Sequence, residues 1–355
     1  MARVSPSGRR VDARHELRGQ PGILDTVGDE IIFLGGTTGM ARLQADRIPD
    51  ASGGQVFMHL QDMVVQSRAE LVASYERGQH YPMYFARAGL ALRACADDYR
   101  SVDHATRARL DALMTGAEPL PDNQQLHGDA DDHGATTSLV YSAMDDDSSL
   151  ADWSQWRTVR EVLDHSTSLV AWLQTFGLYS SPLSGIVDSL DGDWEVLDET
   201  WSCFRRLRLY WEAVREEMAE SVAYLDTGWS GMAASRVFDW FDQFDAVLRD
   251  HELALMERAD RVVMVHDGLQ LAIEGIRPYL DLISQIIGEY AADLITFGDA
   301  VTRLTNAFGL ALLVVDALVL TVGITNLGFS LLPVRDLAVP DDSLGVLAAP
   351  EVAGP

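Results

Sequence analysis

The sequence predicts an all-α protein made of elongated antiparallel helical hairpins, four-helix-bundle-like in its modules, and three observations lead there. Apolar residues recur at steps of three and four over long runs in two separate parts of the chain, which places them on one face of a helix. The runs are punctuated by short breaks containing Gly or Pro, the usual marks of a helix end or a turn. The two-residue alternation of a half-buried strand is scarcely present anywhere.

Composition narrows the functional classes. The chain has 355 residues, enough for two ordinary domains, and a formal net charge of -27. That charge repels nucleic acid and anionic membrane surfaces at long range, so neither is an expected partner through electrostatics. Its positive charges are all Arg. The two cysteines, Cys95 and Cys203, both fall on apolar helical faces, where a free thiol behaves as a small buried hydrophobe; a disulfide between them is the alternative.

Taken in order, residues 1–20 form an Arg-rich mobile tail without the apolar core of a Sec signal peptide. Residues 21–114 read as a first helical module. Leu24, Val27, Ile31 and Leu34 begin one run, Leu60, Val64, Leu71 and Tyr75 carry a second, and Phe85, Leu92, Cys95, Tyr99, Val102, Leu110 and Leu113 carry a third. Breaks are expected at Gly35-Gly36, from Pro49 to Gly54 and from Gly78 to Pro82, with the last two helices as an antiparallel pair. The cluster FLGGTTGM, Phe33 to Met40, lacks the Lys-Ser/Thr ending of a phosphate loop and is expected to be a loop or helix break.

Residues 115–149 read as an acidic flexible linker with no helical period. HGDADDH, His127 to His133, has metal-ligand residue types but no scaffold to fix them, so no metal is expected there. Residues 150–306 are the second helical module. Trp153, Trp156, Val159, Leu163, Val170, Leu173 and Phe176 open it, and the pattern changes beyond Pro278. Residues 307–339 hold a nearly continuous apolar helical segment, long enough from Ala307 to Leu332 to span a bilayer. Asp316, Asn326, Gly323 and Gly328 favour a segment buried in the core or by a partner, and membrane insertion is the alternative. Residues 340–355 are a short disordered tail rich in Ala, Pro and Gly.

The second module holds the stretch that organises the rest. Trp194, Leu197, Trp201, Phe204, Leu207, Trp211, Val214, Met218, Val222 and Leu225 make one apolar face. Val237, Trp240, Phe244, Val247 and Leu248 resume the spacing, which continues through Ala259, Val262, His266, Leu269, Ile273, Ile276 and Leu280. Between them, Gly228 and Gly231 supply the positive φ or close backbone approach of a tight reversal, and Trp229 lies across the seam. This hairpin, closed by Trp229-Ser230-Gly231, resembles the WxG family of type VII secretion substrates, small helical hairpins exported by actinobacteria and related bacteria.

A second motif sits on the third helix. Tyr99 and Asp103 are four residues apart, so a phenol and a carboxylate lie one turn apart on one face. The spacing resembles the Tyr-x-x-x-Asp/Glu export signal of type VII hairpins; a second match, Tyr141 to Asp145, falls in the linker. The resemblance implies a non-enzymatic substrate or adaptor that leaves the cytoplasm by a leaderless route. Its implied partners are the type VII secretion ATPase and machinery, with a small WxG-type helical protein or self-association as a further pairing. In small family members two hairpins pair antiparallel, and the signal of one lies near the turn of the other. The two modules here are expected to do the same within one chain, bringing Tyr99 and Asp103 toward Trp229 and Gly231. The rival is two independent bundles, each with its own partner.

No nucleophile elbow, zinc-helix motif, Cys-x-x-Cys or phosphate loop is present, so no catalytic residue, cofactor or metal is expected. His266 is expected in the core or the seam. Two other classes stand beside the secretion reading: a membrane-active or membrane-anchored effector using 307–332, and the targeting half of a toxin whose toxic domain is on another chain.

Overall fold

A computed structural model describes residues 20–50, 55–76, 81–113, 137–145, 148, 195–307, 309–310, 313–314, 317 and 335–337. Among these the protein is all-α, without a strand. The predicted helices bearing Trp153 and Phe176, the segment HGDADDH, most of 307–332, and the two chain ends lie outside the described residues.

Helix α1 (Pro21–Asp46) opens with Pro at its first turn, where the missing N–H costs nothing. Leu24, Val27, Ile31 and Leu34 are buried, as their spacing requires. The expected break at Gly35-Gly36 does not occur; α1 runs straight through it. Gly35, with Gly28 and Gly89, serves packing instead. Helix α3 (Tyr81–Leu113) crosses α1 so closely that a Cβ on Gly89 would lie 2.3 Å from the Gly28 carbonyl oxygen, and one on Gly35 2.8 Å from Phe85 Cβ. The crossing is antiparallel, with Arg100 paired to Asp25 at one end and Arg93 to Asp29 one turn along.

This corrects a second expectation, that helix α2 (Gln55–Glu76) and α3 form the pair. α3 lies on α1, because backbone-to-backbone approach at glycine brings more atoms into contact than α2 offers. α2 instead turns toward the second half of the chain. Its Tyr75 Oη accepts a hydrogen bond from Trp211 Nε1 at 3.2 Å, and its Ser67 Oγ accepts one from Arg258 Nε at 2.7 Å.

The stretch read as a structureless linker contains a short helix, α4 (Thr137–Met144). Val140 is fully buried, and Ala143 and Met144 pack against the core. Docking supplies what eight residues lack alone, since an isolated helix of that length does not pay for its own nucleation.

Helices α5 (Glu195–Gly228) and α6 (Met232–Ala291) form the expected hairpin. Arg215 on α5 ties it to α6 through Asp245 at 2.9 Å and Glu252 at 2.7 Å. Pro278 does not end α6, which spans 60 residues around it. The two hairpins then pack into one four-helix bundle. α1 runs antiparallel to α5: Thr37 Oγ1 and Tyr210 Oη share a hydrogen bond of 2.8 Å, and Ser221 Oγ donates to Glu30 at 2.8 Å. α3 runs antiparallel to α6, with Phe85 edge-on to Phe244 at 4.9 Å and Tyr81 edge-on to His251 at 5.2 Å. Trp211, Tyr81, Tyr210, Phe85, Phe204 and Phe244 fill the middle. Cys95 on α3 and Cys203 on α5 are buried free thiols, each pushed up to about 11 by burial.

Beyond the bundle, α6 continues and the chain folds back along it. Thr296 caps the helical residues 297–307 through Asp299, and Arg303 reaches Glu289 at 2.9 Å. His266, 8 % exposed, has Nδ1 3.1 Å from Asp267. Arg335 returns to α6, pairing with Asp250 at 3.1 Å, while Arg258 donates to its carbonyl at 3.0 Å. Among the described residues no helix is long and apolar enough to cross a membrane.

Candidate functional site

The two sequence motifs meet where the hairpins join. α5 ends at Gly228, and the Trp229 amide still donates to Leu225 O at 3.1 Å, so the indole leaves the helix in a fixed direction. Trp229 is 1 % exposed and stands edge-on to Phe238 of α6, with ring centroids 6.3 Å apart. Its Nε1–H donates to Tyr99 Oη on α3 at 3.1 Å. A buried indole N–H needs an acceptor, and here the acceptor comes from the other hairpin, 130 residues away in sequence.

The two glycines divide the expected roles between them. Gly231 has φ 116°, a conformation that L side chains rarely adopt, and it precedes the first turn of α6, where Ser235 N and Oγ both donate to its carbonyl. Gly228 lies under the start of α1: a Cβ there would lie 2.3 Å from Cδ1 of the half-buried Ile23, which would have to shift to admit it. Gln20 N donates to the Gly228 carbonyl at 3.1 Å, so the first residue before α1 closes the end of α5. This contact answers one of the carbonyls that every helix C-terminus leaves open.

Asp103 follows Tyr99 by one turn on α3, a rise of about 6 Å. Its side chain is outside the described residues. Arg100, between them, pairs with Asp25 of α1 and with Asp97 at 2.9 Å, and so anchors α3 beside the motif. The alternative match is placed differently. Tyr141 is exposed on α4, and Asp145 lies past that helix's last residue, its amide donating to Ser142 O.

Asp226, Thr227 and Ser230 of the turn and Ser101 and Val102 of α3 are exposed around the buried Trp229–Tyr99 bond. Among the described residues, no three His, Cys, Asp or Glu side chains are grouped so as to hold a metal ion. Sequence reasoning missed Gln20, Ile23 and Asp25. Pro21 marks where α1 begins, but nothing local tells that this start abuts the far end of α5. Compared with known proteins, the chain matches no family model, no curated protein and no solved structure.

Proposed function

We propose that this protein is a non-enzymatic substrate or adaptor of a type VII secretion system, recognised through a composite surface made by Tyr99 and Asp103 of one hairpin and the Gly228-Trp229-Ser230-Gly231 turn of the other. The observation that carries the reading is the Trp229 Nε1–H···Oη Tyr99 hydrogen bond between the two hairpins. It joins, within a single chain, the two motifs that in the resembled family come from paired subunits. Each hairpin has one motif and takes the other from its neighbour. The partner is the secretion ATPase, which meets a folded bundle end and not an extended leader.

The test is export from a host carrying such a system. Tyr99→Ala, Asp103→Ala and Trp229→Phe are compared with the wild type, with helicity and cellular level measured for each. Loss of export from folded, normally abundant Asp103→Ala supports the reading. Undiminished export of all three removes the composite surface from the argument.

A further inference from the structure

Glu217 lies midway along α5 and is only 3 % exposed. Its Oε1 has no hydrogen-bond partner among the described residues. The carboxyl is met by a backbone N–H, that of Val140 on α4. Among the described residues the charged groups acting on it are acids: Glu220 on its own helix, and Glu30 on α1, which already accepts a hydrogen bond from Ser221. The segment TSLVYSAM of α4 brings no charge; its one ionisable side chain is Tyr141, and that phenol acts on Tyr210.

α4 is thus held to the bundle by a few apolar side chains and by a hydrogen bond from its Val140 amide to a carboxyl whose Oε1 has no partner among the described residues. We propose that α4 is a proton-controlled latch on α5, docked while Glu217 carries a proton and lifted when it ionises. The inference is independent of the secretion reading.

The physical reasons converge. Among the described residues, an ionised Glu217 under α4 has one oxygen without a donor, two like charges nearby and no base to offset them, and the cheapest relief is entry of water as α4 leaves. Burial, then Glu220 and Glu30, push the Glu217 carboxyl up from 4.5 to about 7, against the Val140 amide, which favours the charged form. With α4 lifted, the carboxyl is solvated and returns toward its ordinary value. The docked form therefore binds the proton more tightly. Docking is strongest below the ordinary carboxylate value, weakens as pH rises, and reaches its weakest above about 7. One proton limits the slope to at most about tenfold per pH unit.

Hydrogen exchange of the full-length protein between about pH 5 and 8.5, corrected for intrinsic exchange rates, reads the latch directly. Protection of residues 137–144 is expected to fall by up to about tenfold per unit toward pH 7 and then level off, while the middle of α5 stays protected. Glu217→Gln, neutral at every pH, is expected to hold α4 with no slope. Glu220→Gln removes one like charge and is expected to move the transition to lower pH. If Glu217→Gln also loosens α5, the Glu220→Gln displacement decides alone. A flat wild-type profile, a slope that survives Glu217→Gln in an otherwise intact bundle, or a transition unmoved by Glu220→Gln overturns the proposal.

Discussion

Glycine in a helix normally costs stability, and α1 and α3 allow that cost to be set against its opposite. At Gly36 a Cβ would meet nothing within 4 Å, so Gly36→Ala is expected to stabilise by about 0.5–1 kcal/mol through lost unfolded-state freedom and better helix propensity. Gly89→Ala has the same intrinsic gain but a different surrounding. Its Cβ would lie 2.3 Å from Gly28 O and 2.5 Å from Ile32 Cγ1. The first obstacle is backbone and has no rotamer to change, so α1 and α3 must part. Overpacking of this kind costs about 1–3 kcal/mol. The two variants should therefore differ by about that amount, with Gly89→Ala the less stable. Urea unfolding followed by tryptophan fluorescence measures both on the same scale, provided their slopes with denaturant agree. The backbone contact also couples the sites: once Gly89→Ala has parted the helices, Gly28→Ala should add less than its separate cost. If Gly89→Ala proved as stable as Gly36→Ala, the close crossing would not be what holds α1 on α3.

Two further perturbations reach other parts of the structure. Tyr99→Phe keeps the ring but leaves the buried Trp229 N–H without its acceptor, an expected loss of about 1–3 kcal/mol, visible in the same unfolding assay and in the Trp229 indole proton shift; an unchanged shift would mean that the bond is not made in solution. Arg258 is 3 % exposed and donates to Ser67 Oγ, Ala254 O and Arg335 O, so Arg258→Leu should release both α2 and residues 335–337 from α6. Faster amide exchange in both segments is expected, and exchange unchanged in either would show that the guanidinium does not hold that segment.

The helices were legible because periodicity is a local property. The faces running from Leu197 to Leu225 and from Val237 to Leu280 need no knowledge of the partner to show which side is apolar, and the turn residues between them identify themselves by type. The misreadings arose where one residue type has two uses. Gly35-Gly36 looks like a break because glycine permits unusual φ, yet α1 runs through both, and at Gly35 the missing side chain makes room for Phe85 of α3. TSLVYSAM looks like linker because its surroundings are acidic and its length is too short for a period; it becomes a helix only against α5.

What the sequence determined by itself is therefore the all-α class, the long hairpin around Trp229 and the two motifs as separate facts. Only the tertiary structure decided that α1 pairs with α3 across Gly28 and Gly89, that the two hairpins form one bundle, and that Trp229 finds its acceptor in Tyr99. The physical reason is range. Helix periodicity repeats within one turn, whereas a close backbone approach or a buried hydrogen bond joins residues 61 and 130 positions apart, and nothing in either local pattern records the distance between them.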